Sequence, residues 1–322
     1  MPARRSASRV VAIIWGINIL GLLGVLVAVV FYISQRPVQA ALAPPASADP
    51  PRANPIFTSP PTPYYLPTIT RNPLATPIEG VTPTPFLLSS GRRATIIGLS
   101  VSGRPIEVYT FGQGERQRMI VAGIHGGYEW NTIALADELI TWLDAHPEEI
   151  PSDLTLYILR NLNPDGDARG HTRDSRANDH GVDLNRNFPA NWQVDWNRLG
   201  CWKDPPVTGG EGPASEPEAR ALVKFIETHK LDALISYHSA ALGVFPGGIP
   251  WEEDSIRLAK EISSVTTYPY PPIDTGCDYT GTLADYAVEM GAAAVDMELS
   301  NHRDTDFEKN LKVLQMFMNW KR

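Results

Sequence analysis

Apolar and polar positions divide the chain into three stretches of different character. Val10 to Ile33 runs for 24 residues without a charge, and Asn18 is its one strongly polar position. About 20 apolar residues suffice to cross a bilayer as a helix, so 10–33 is expected to be a transmembrane anchor. Trp15 and Tyr32 lie near its two ends, where aromatic belts form. Residues 34–90 lose this pattern: fourteen of the 29 prolines fall between Pro37 and Pro85. Proline holds φ and lacks an amide donor, so this stretch is expected to be an extended linker. From residue 91 to 322 apolar runs alternate with amphipathic ones, as in a single globular domain.

Within that domain, Thr95–Val101 and Pro105–Phe111 flank Ser102-Gly103-Arg104 and predict a hairpin. Arg118–Ile124 predicts the next strand, and Asn131–Ala145 a helix with apolar residues at Ile133, Ala136, Leu139, Ile140 and Leu143. Leu154–Leu159 predicts a strand. A Gly- and Asp-rich stretch from Asn161 to Gly212 is too long for idle linkage in a compact domain and is expected to be functional. Ser215-Glu216-Pro217-Glu218 has the form of a capping box opening a helix to His229. Strands at Leu234–Tyr237 and Ala292–Leu299, and helices at Trp251–Ser264, Thr282–Met290 and Phe307–Trp320, complete an α/β pattern with both sheet faces covered.

Charge and composition narrow the function. A net charge of -8 argues against a nucleic-acid partner, because phosphate binding needs a basic surface. Arg4, Arg5 and Arg9 precede the apolar segment and Arg36 alone closely follows it. The positive-inside rule then places residues 1–9 in the cytoplasm and the domain outside. Cleavage near Ala41-Leu42-Ala43, releasing a secreted protein, is the alternative, although a signal peptide's apolar core is usually only about 7–15 residues. Two cysteines, Cys201 and Cys277, are too few for a disulfide framework and form no CxxC pair. Outside the cytoplasm they could pair with each other.

Candidate chemistry starts at Ile124-His125-Gly126-Gly127-Tyr128-Glu129. A His at the carboxyl end of a strand and a Glu in the first helical turn can bind a divalent metal, most naturally zinc. Alone, His125 would equally be a satisfied loop histidine and Glu129 an acid favoured by the helix dipole. His238 ends its own strand, and sites in α/β sheets gather at such ends. His146, His171, His180, His229 and His302 are expected at the surface. Glu298 stands in the apolar strand Ala293–Leu299, where a carboxylate is costly unless paired or used. It could serve as a general base, and alternation leaves Asp296 on the same face as an equal candidate. Arg186 beside Asn185 could hold a substrate carboxylate, since arginine presents a fork that matches one. Arg176 could stabilise an oxyanion; each of these residues would also suit a solvated loop.

Together these residues resemble the zinc carboxypeptidases of the carboxypeptidase A type, over roughly residues 94–320. The matching pieces are Gly-Ile-His-Gly-Gly-Tyr-Glu at 123–129, Asn163-Pro164-Asp165-Gly166, Gly-Val-Asp-Leu-Asn-Arg-Asn-Phe at 181–188, Ser-Glu-Pro-Glu at 215–218, Tyr-His-Ser at 237–239 and Met-Glu-Leu at 297–299. The resemblance implies a mixed, mostly parallel eight-stranded sheet between helices and one zinc ion held by His125, Glu129 and His238. It implies that Asp183 orients the first ligand His, that Arg176 polarises the scissile carbonyl, and that Asn185 and Arg186 grip a terminal carboxylate. It also implies Glu298, rather than Asp296, as general base and proton shuttle. The chain departs from the family in having three residues rather than two between His125 and Glu129, and Tyr128 where an Arg often precedes the Glu. Tyr270 and Tyr279 both remain candidates for the family's cleft tyrosine. Leu283, after Gly281-Thr282, hints at a neutral or apolar side chain in the substrate. The expected activity is removal of C-terminal amino acids from peptides. A cell-wall stem-peptide peptidase, or an amidase or deacylase on the same zinc site, is the alternative, and a non-catalytic binding module is the alternative of another class.

Overall fold

Eight strands form one sheet: β1 (Phe86–Leu87), β2 (Arg93–Leu99), β3 (Pro105–Gly112), β4 (Arg116–Val121), β5 (Leu154–Leu159), β6 (Leu231–Ser239), β7 (Gly243–Pro246) and β8 (Ala293–Leu299). The computed structural model describes residues 86–87, 93–194, 207–241 and 243–322. The expected anchor at 10–33, nearly all of the linker at 34–90 and Cys201 lie outside the described residues. No helix among the described residues is long and apolar enough to cross a membrane.

The strands lie in the order β1-β2-β3-β5-β4-β6-β8-β7. β5, β4, β6 and β8 are mutually parallel, whereas β1–β2, β2–β3, β3–β5 and β7–β8 pair antiparallel. The sheet is mixed and eight-stranded as expected, but it is not mostly parallel: three of its seven pairings are. Tight connections such as the Ser102-Gly103-Arg104 turn return the chain antiparallel, and parallel neighbours need a long crossover. The parallel strands therefore occupy the centre of the sheet.

Six helices follow: α1 (Trp130–Ala145), α2 (Pro164–Ala168), α3 (Pro217–Thr228), α4 (Glu253–Val265), α5 (Leu283–Glu289) and α6 (Phe307–Asn319). Strand alternation sorts the core into two layers. Ile120, Ile235 and Val295 face α1, α4 and α6, which contribute Leu139, Leu258 and Leu314 to that layer. Met119, Leu234 and Ala294 face α3 and α5, with Leu222 and Ala287. The helices expected at Asn131–Ala145 and Phe307–Trp320 appear within one residue of those bounds, and the strand at Leu154–Leu159 coincides. β7 was not anticipated.

The capping box at Ser215–Glu218 does not form. Glu216 is the residue before α3 and caps nothing with its side chain. Both glutamates instead serve the long loop: Asn178 Nδ2 donates to Glu216 at 2.8 Å and to Glu218 at 3.1 Å, and Val101 N donates to Glu218 at 3.0 Å. Other buried asparagines tie the loop down in the same way. Asn163 Nδ2 donates to the Arg176 carbonyl at 3.0 Å, and Asn187 Nδ2 to Gly209 O at 2.7 Å. A loop that buries its backbone must satisfy the polar groups, and these amides do so.

Arg118 on β4 is fully buried. Its Nε donates to Asp232 at 3.0 Å, and its Nη atoms donate to the carbonyls of Phe317 and Trp320, so it fastens the end of α6 to the sheet. Removing one partner of a buried charged pair costs about 3–5 kcal/mol, and Asp232 is 24% exposed, which places the loss at the low end. Arg118→Met should therefore lower unfolding stability by about 3 kcal/mol in a urea titration; an unchanged midpoint would show that the fastening contributes nothing.

Candidate active site

The carboxyl ends of β4, β6 and β8 open into one cleft of about 700 Å³. His125 lies four residues beyond β4, and a 3-10 turn, Gly126–Glu129, carries the chain into α1. Glu129, expected in the first turn of the helix, instead ends this tighter turn directly before α1. Gly126 has φ +49°, and a Cβ on Gly127 would stand 2.3 Å from the Gly170 carbonyl oxygen. Only glycine allows that approach, which tucks the turn under the loop and points Glu129 back at His125.

Three buried side chains converge here. Nδ1 of His125 is 2.8 Å from Glu129 Oε1, Nδ1 of His238 is 3.2 Å from Glu129 Oε2, and the two Nδ1 atoms are 3.2 Å apart. One ligand atom from each of the three residues lies within 4.8 Å of the other two. Zinc–nitrogen bonds of about 2.0–2.1 Å at tetrahedral angles put donor atoms about 3.3 Å apart. The set therefore fits zinc. The outer nitrogens are also engaged: His125 Nε2 meets Asp183 Oδ1 at 3.1 Å, and His238 Nε2 meets Ser236 Oγ at 3.0 Å and Asn185 Nδ2 at 3.3 Å. Partners on Nε2 set the tautomer that leaves the Nδ1 lone pair toward the metal position.

Charge is balanced across the same cluster. Arg176 donates to Asp183 through Nε at 2.9 Å, lies 2.8 Å from it through Nη2, and turns Nη1 toward Glu129 at 3.3 Å. Burial works to raise the Asp183 pKa, but Arg176 and His125 outweigh it and hold the carboxyl well below the usual range. Burial likewise acts to raise Glu129, and His125 and His238 outweigh it, so Glu129 stays ionised. At His238 burial favours the neutral ring, yet Asp296 and Glu129 overcome it and raise the pKa to about 10.

Glu298 stands beside the cluster. It pairs in register with His238 across β6 and β8, on the same sheet face, and its Oε2 accepts the Ala241 amide at 3.0 Å. Burial pushes its pKa up to about 7, with His238 opposing and Glu129 adding to the rise. Asp296 lies on the same face two residues earlier, opposite Ser236. Asn185 and Arg186 are buried and line the cleft; Asn185 Oδ1 accepts the Leu283 amide at 2.8 Å, and the Arg186 guanidinium stacks 4.6 Å from the Tyr279 ring centroid.

The structure separates the two tyrosines. Tyr279 lines the cleft, whereas Tyr270 packs against the core. Leu283 is fully buried in the α3/α5 layer and lines no part of the cleft, so the apolar hint drawn from it falls. His302, expected at the surface, lines the cleft: its Nδ1 is 3.0 Å from Ser239 Oγ, and its ring packs 4.8 Å from Tyr128. Its position three residues past the end of β8 was the available signal. Cys277 is disulfide-bonded, and the chain's one other cysteine is Cys201.

The zinc carboxypeptidase pattern matches residues 90–315. The chain belongs to the zinc carboxypeptidase family. Members of this family and its homologues are zinc metallopeptidases and amidases, and His125, Glu129 and His238 form the site that can hold the family's one zinc ion. The murein peptide amidase A of Escherichia coli (strain K12) is 33% identical over 231 residues, covering 69% of this chain and 88% of that protein. The gamma-D-glutamyl-L-diamino acid endopeptidase 1 of Lysinibacillus sphaericus is 26% identical over 274 residues, covering 71% of this chain and 66% of that protein. A solved structure of bovine thrombin-activatable fibrinolysis inhibitor, in complex with tick carboxypeptidase inhibitor, shares the zinc carboxypeptidase fold. Its TM-score is 0.57 at 19% identity, covering 70% of this chain and 88% of that chain.

Because His238 in the metal-free protein holds a proton up to about pH 10, and zinc needs its lone pair, metal uptake must displace that proton. Zinc titration calorimetry near neutral pH, repeated in buffers of different ionisation heat, should show one site and release of about one proton per zinc. Losing an outer partner of a zinc ligand costs about 10–100-fold in affinity, so His238→Ala should lose more. Unchanged affinity in that variant would overturn the ligand assignment.

Proposed function

We propose that the chain is a zinc-dependent peptidase that removes a C-terminal residue by hydrolysing the amide bond that joins it to its substrate. The observation that carries this reading is a buried arginine, Arg186, fixed in the wall of the same cleft as the metal-ligand set. Its Nη1 donates to the Asn185 carbonyl and its plane lies over Tyr279. A guanidinium locked in this way matches a carboxylate fork to fork, which suits the free carboxylate of a terminal residue.

Each remaining role follows from position. Bound zinc supplies Lewis acidity toward a carbonyl oxygen and toward water. Arg176, anchored by Asp183, keeps Nη1 directed at the His125–Glu129 pair and is placed to stabilise a developing oxyanion. Glu298 takes a proton from the attacking water and delivers it to the leaving amine. Asn185 and Arg186 orient the carboxylate, so that the scissile bond lies between Arg176 and Glu298. Asp183 acts through His125 by holding its ring.

A second reading keeps these roles and makes the substrate a cell-wall peptide. It is favoured by the names of two relatives, a murein peptide amidase and a γ-D-glutamyl-diamino acid endopeptidase. The uncharged run at 10–33 with Arg4, Arg5 and Arg9 before it supports a membrane anchor with the domain outside the cytoplasm, where such peptides lie. Blocked dipeptides compared with murein tripeptide separate the two readings.

Glu298 works as an ionised base, so activity should rise with pH along an acid limb. The limb's midpoint should lie at or below about 7, since a nearby metal cation lowers a carboxyl pKa. Glu298→Gln should bind zinc normally and lose at least about 100-fold in kcat. Full activity in that variant would remove Glu298 from the reaction.

A further inference from the structure

Beyond the end of β8, one buried amide fixes the course of the chain. Asn131, the second residue of α1, is fully buried. Its Nδ2 donates to the carbonyls of Asn301 at 2.7 Å and Asp304 at 3.0 Å. Two carbonyl partners identify this atom as the nitrogen, so the other, Oδ1, is an acceptor. Oδ1 lies 3.0 Å from Ser239 Oγ. Ser239 follows the ligand His238, is buried, and donates its amide to Glu129 Oε2 at 3.2 Å.

Counting protons along these contacts settles the state of His302. A serine hydroxyl has one proton, and Asn131 Oδ1 takes it. Ser239 Oγ can then only accept from its other neighbour, His302 Nδ1, at 3.0 Å. Nδ1 therefore carries a proton, and in the neutral ring Nε2 keeps its lone pair. Among the described residues, Nδ1 is the one ring nitrogen of His302 that makes a hydrogen bond. The half-buried ring packs against Tyr128 and lines the cleft, so Nε2 is the polar atom it has left to offer there. Asn185, next to Arg186, meets His238 Nε2, whereas Ser239 joins His302 to Glu129. His302 thus stands on the Glu129 side of the metal-ligand set, the side left for the acyl part of a substrate whose terminal carboxylate lies on Arg186.

We propose that His302 is a specificity-determining residue: its Nε2 accepts an amide N–H from the acyl part of the substrate, that of the residue whose carbonyl is cleaved. The inference rests on the hydrolytic reading above and adds a requirement to it. The substrates it selects have that residue N-acylated, as it is within a peptide. An oxygen in place of the N–H sets one lone pair against another and leaves the imidazole acceptor without a donor, which is unfavourable. Asn131 and Ser239 act through His302, by holding the proton on Nδ1.

The test uses full-length, zinc-loaded protein and pairs of substrates that share a terminal residue. One member is a benzoylglycyl amino acid; the other is the benzoyloxyacetyl analogue, with oxygen in place of the glycyl N–H. Leucine, lysine and glutamate serve in turn as the terminal residue, and its release is followed. kcat/KM should favour the N–H member by about 3- to 10-fold, the scale of one neutral hydrogen bond. His302→Phe, which keeps a ring against Tyr128 and has no nitrogen, should bring that ratio close to one. His302→Gln, with an N–H for Ser239 and a carbonyl oxygen for the substrate, should restore part of it. Ser239→Ala leaves the ring able to protonate Nε2 instead, so the ratio should fall although His302 is kept. If His302 served only to brace the chain after β8, His302→Phe would lower both members alike and leave the ratio intact, which would overturn the proposal. So would equal use of both members by the unaltered protein, or a ratio unchanged by Ser239→Ala. Calorimetric binding of each pair to zinc-loaded Glu298→Gln reads the acceptor without hydrolysis. Tighter binding of the N–H member, lost on adding His302→Phe, with no turnover of any pair by the unaltered protein, would support the acceptor and sink the hydrolytic reading; equal binding would sink the acceptor.

Discussion

Two imidazole nitrogens with their lone pairs directed at one point, and a carboxylate closing the third side, form the constraint on which the rest of the molecule depends. Nδ1 of His125 and Nδ1 of His238 stand 3.2 Å apart, and such a set is held by a cation between them, a proton or a metal. The raised pKa of His238 shows that the protein tightens its hold on the proton. Around the set, negative and positive groups alternate: Glu129, then Arg176, then Asp183. Each is buried, and each is stabilised by the next, so the network cannot lose one member without exposing another to an uncompensated charge.

The sheet builds this arrangement by register. β6 and β8 lie side by side with His238 opposite Glu298 and Ser236 opposite Asp296, so a metal ligand, its hydrogen-bond partner, the proposed base and a second acid share one face. β4 delivers His125 from the neighbouring strand through a turn that only glycine permits. The described parts of the long stretch, 161–194 and 207–212, supply Arg176, Asp183, Asn185 and Arg186, and the buried amides of Asn163, Asn178 and Asn187 hydrogen-bond within and around them. Rigid strands thus place the metal ligands and the acids, while a pinned loop places the charged groups proposed to handle the substrate.

Much of this was legible in the chain itself. Period and run length located α1, α6 and β5 closely, because their apolar positions repeat cleanly. Histidines at strand ends pointed to the cleft, and the family motifs ordered the site residues. Other features depend on distant contacts. β7 is four residues bounded by glycine and proline, and among the described residues it pairs with β8 alone, at the edge of the sheet, so no periodicity marks it. Ser215–Glu218 reads as a cap, yet Asn178 and Val101, far away in sequence, claim its glutamates. His302 reads as a loop histidine until Ser239 and Tyr128 are brought against it. Leu283 shows the same limit: whether a side chain lines the cleft depends on which way it points, and the helix start turns Leu283 into the core.

The claim that His125, Glu129 and His238 together hold one zinc ion is tested most directly by zinc-edge X-ray absorption on the loaded, full-length protein. The expected spectrum has nitrogen and oxygen neighbours at about 2.0–2.2 Å and no sulfur, with outer-shell scattering from two imidazoles that drops to one in His238→Ala. A sulfur shell near 2.3 Å, or an imidazole count unchanged by that substitution, would contradict it.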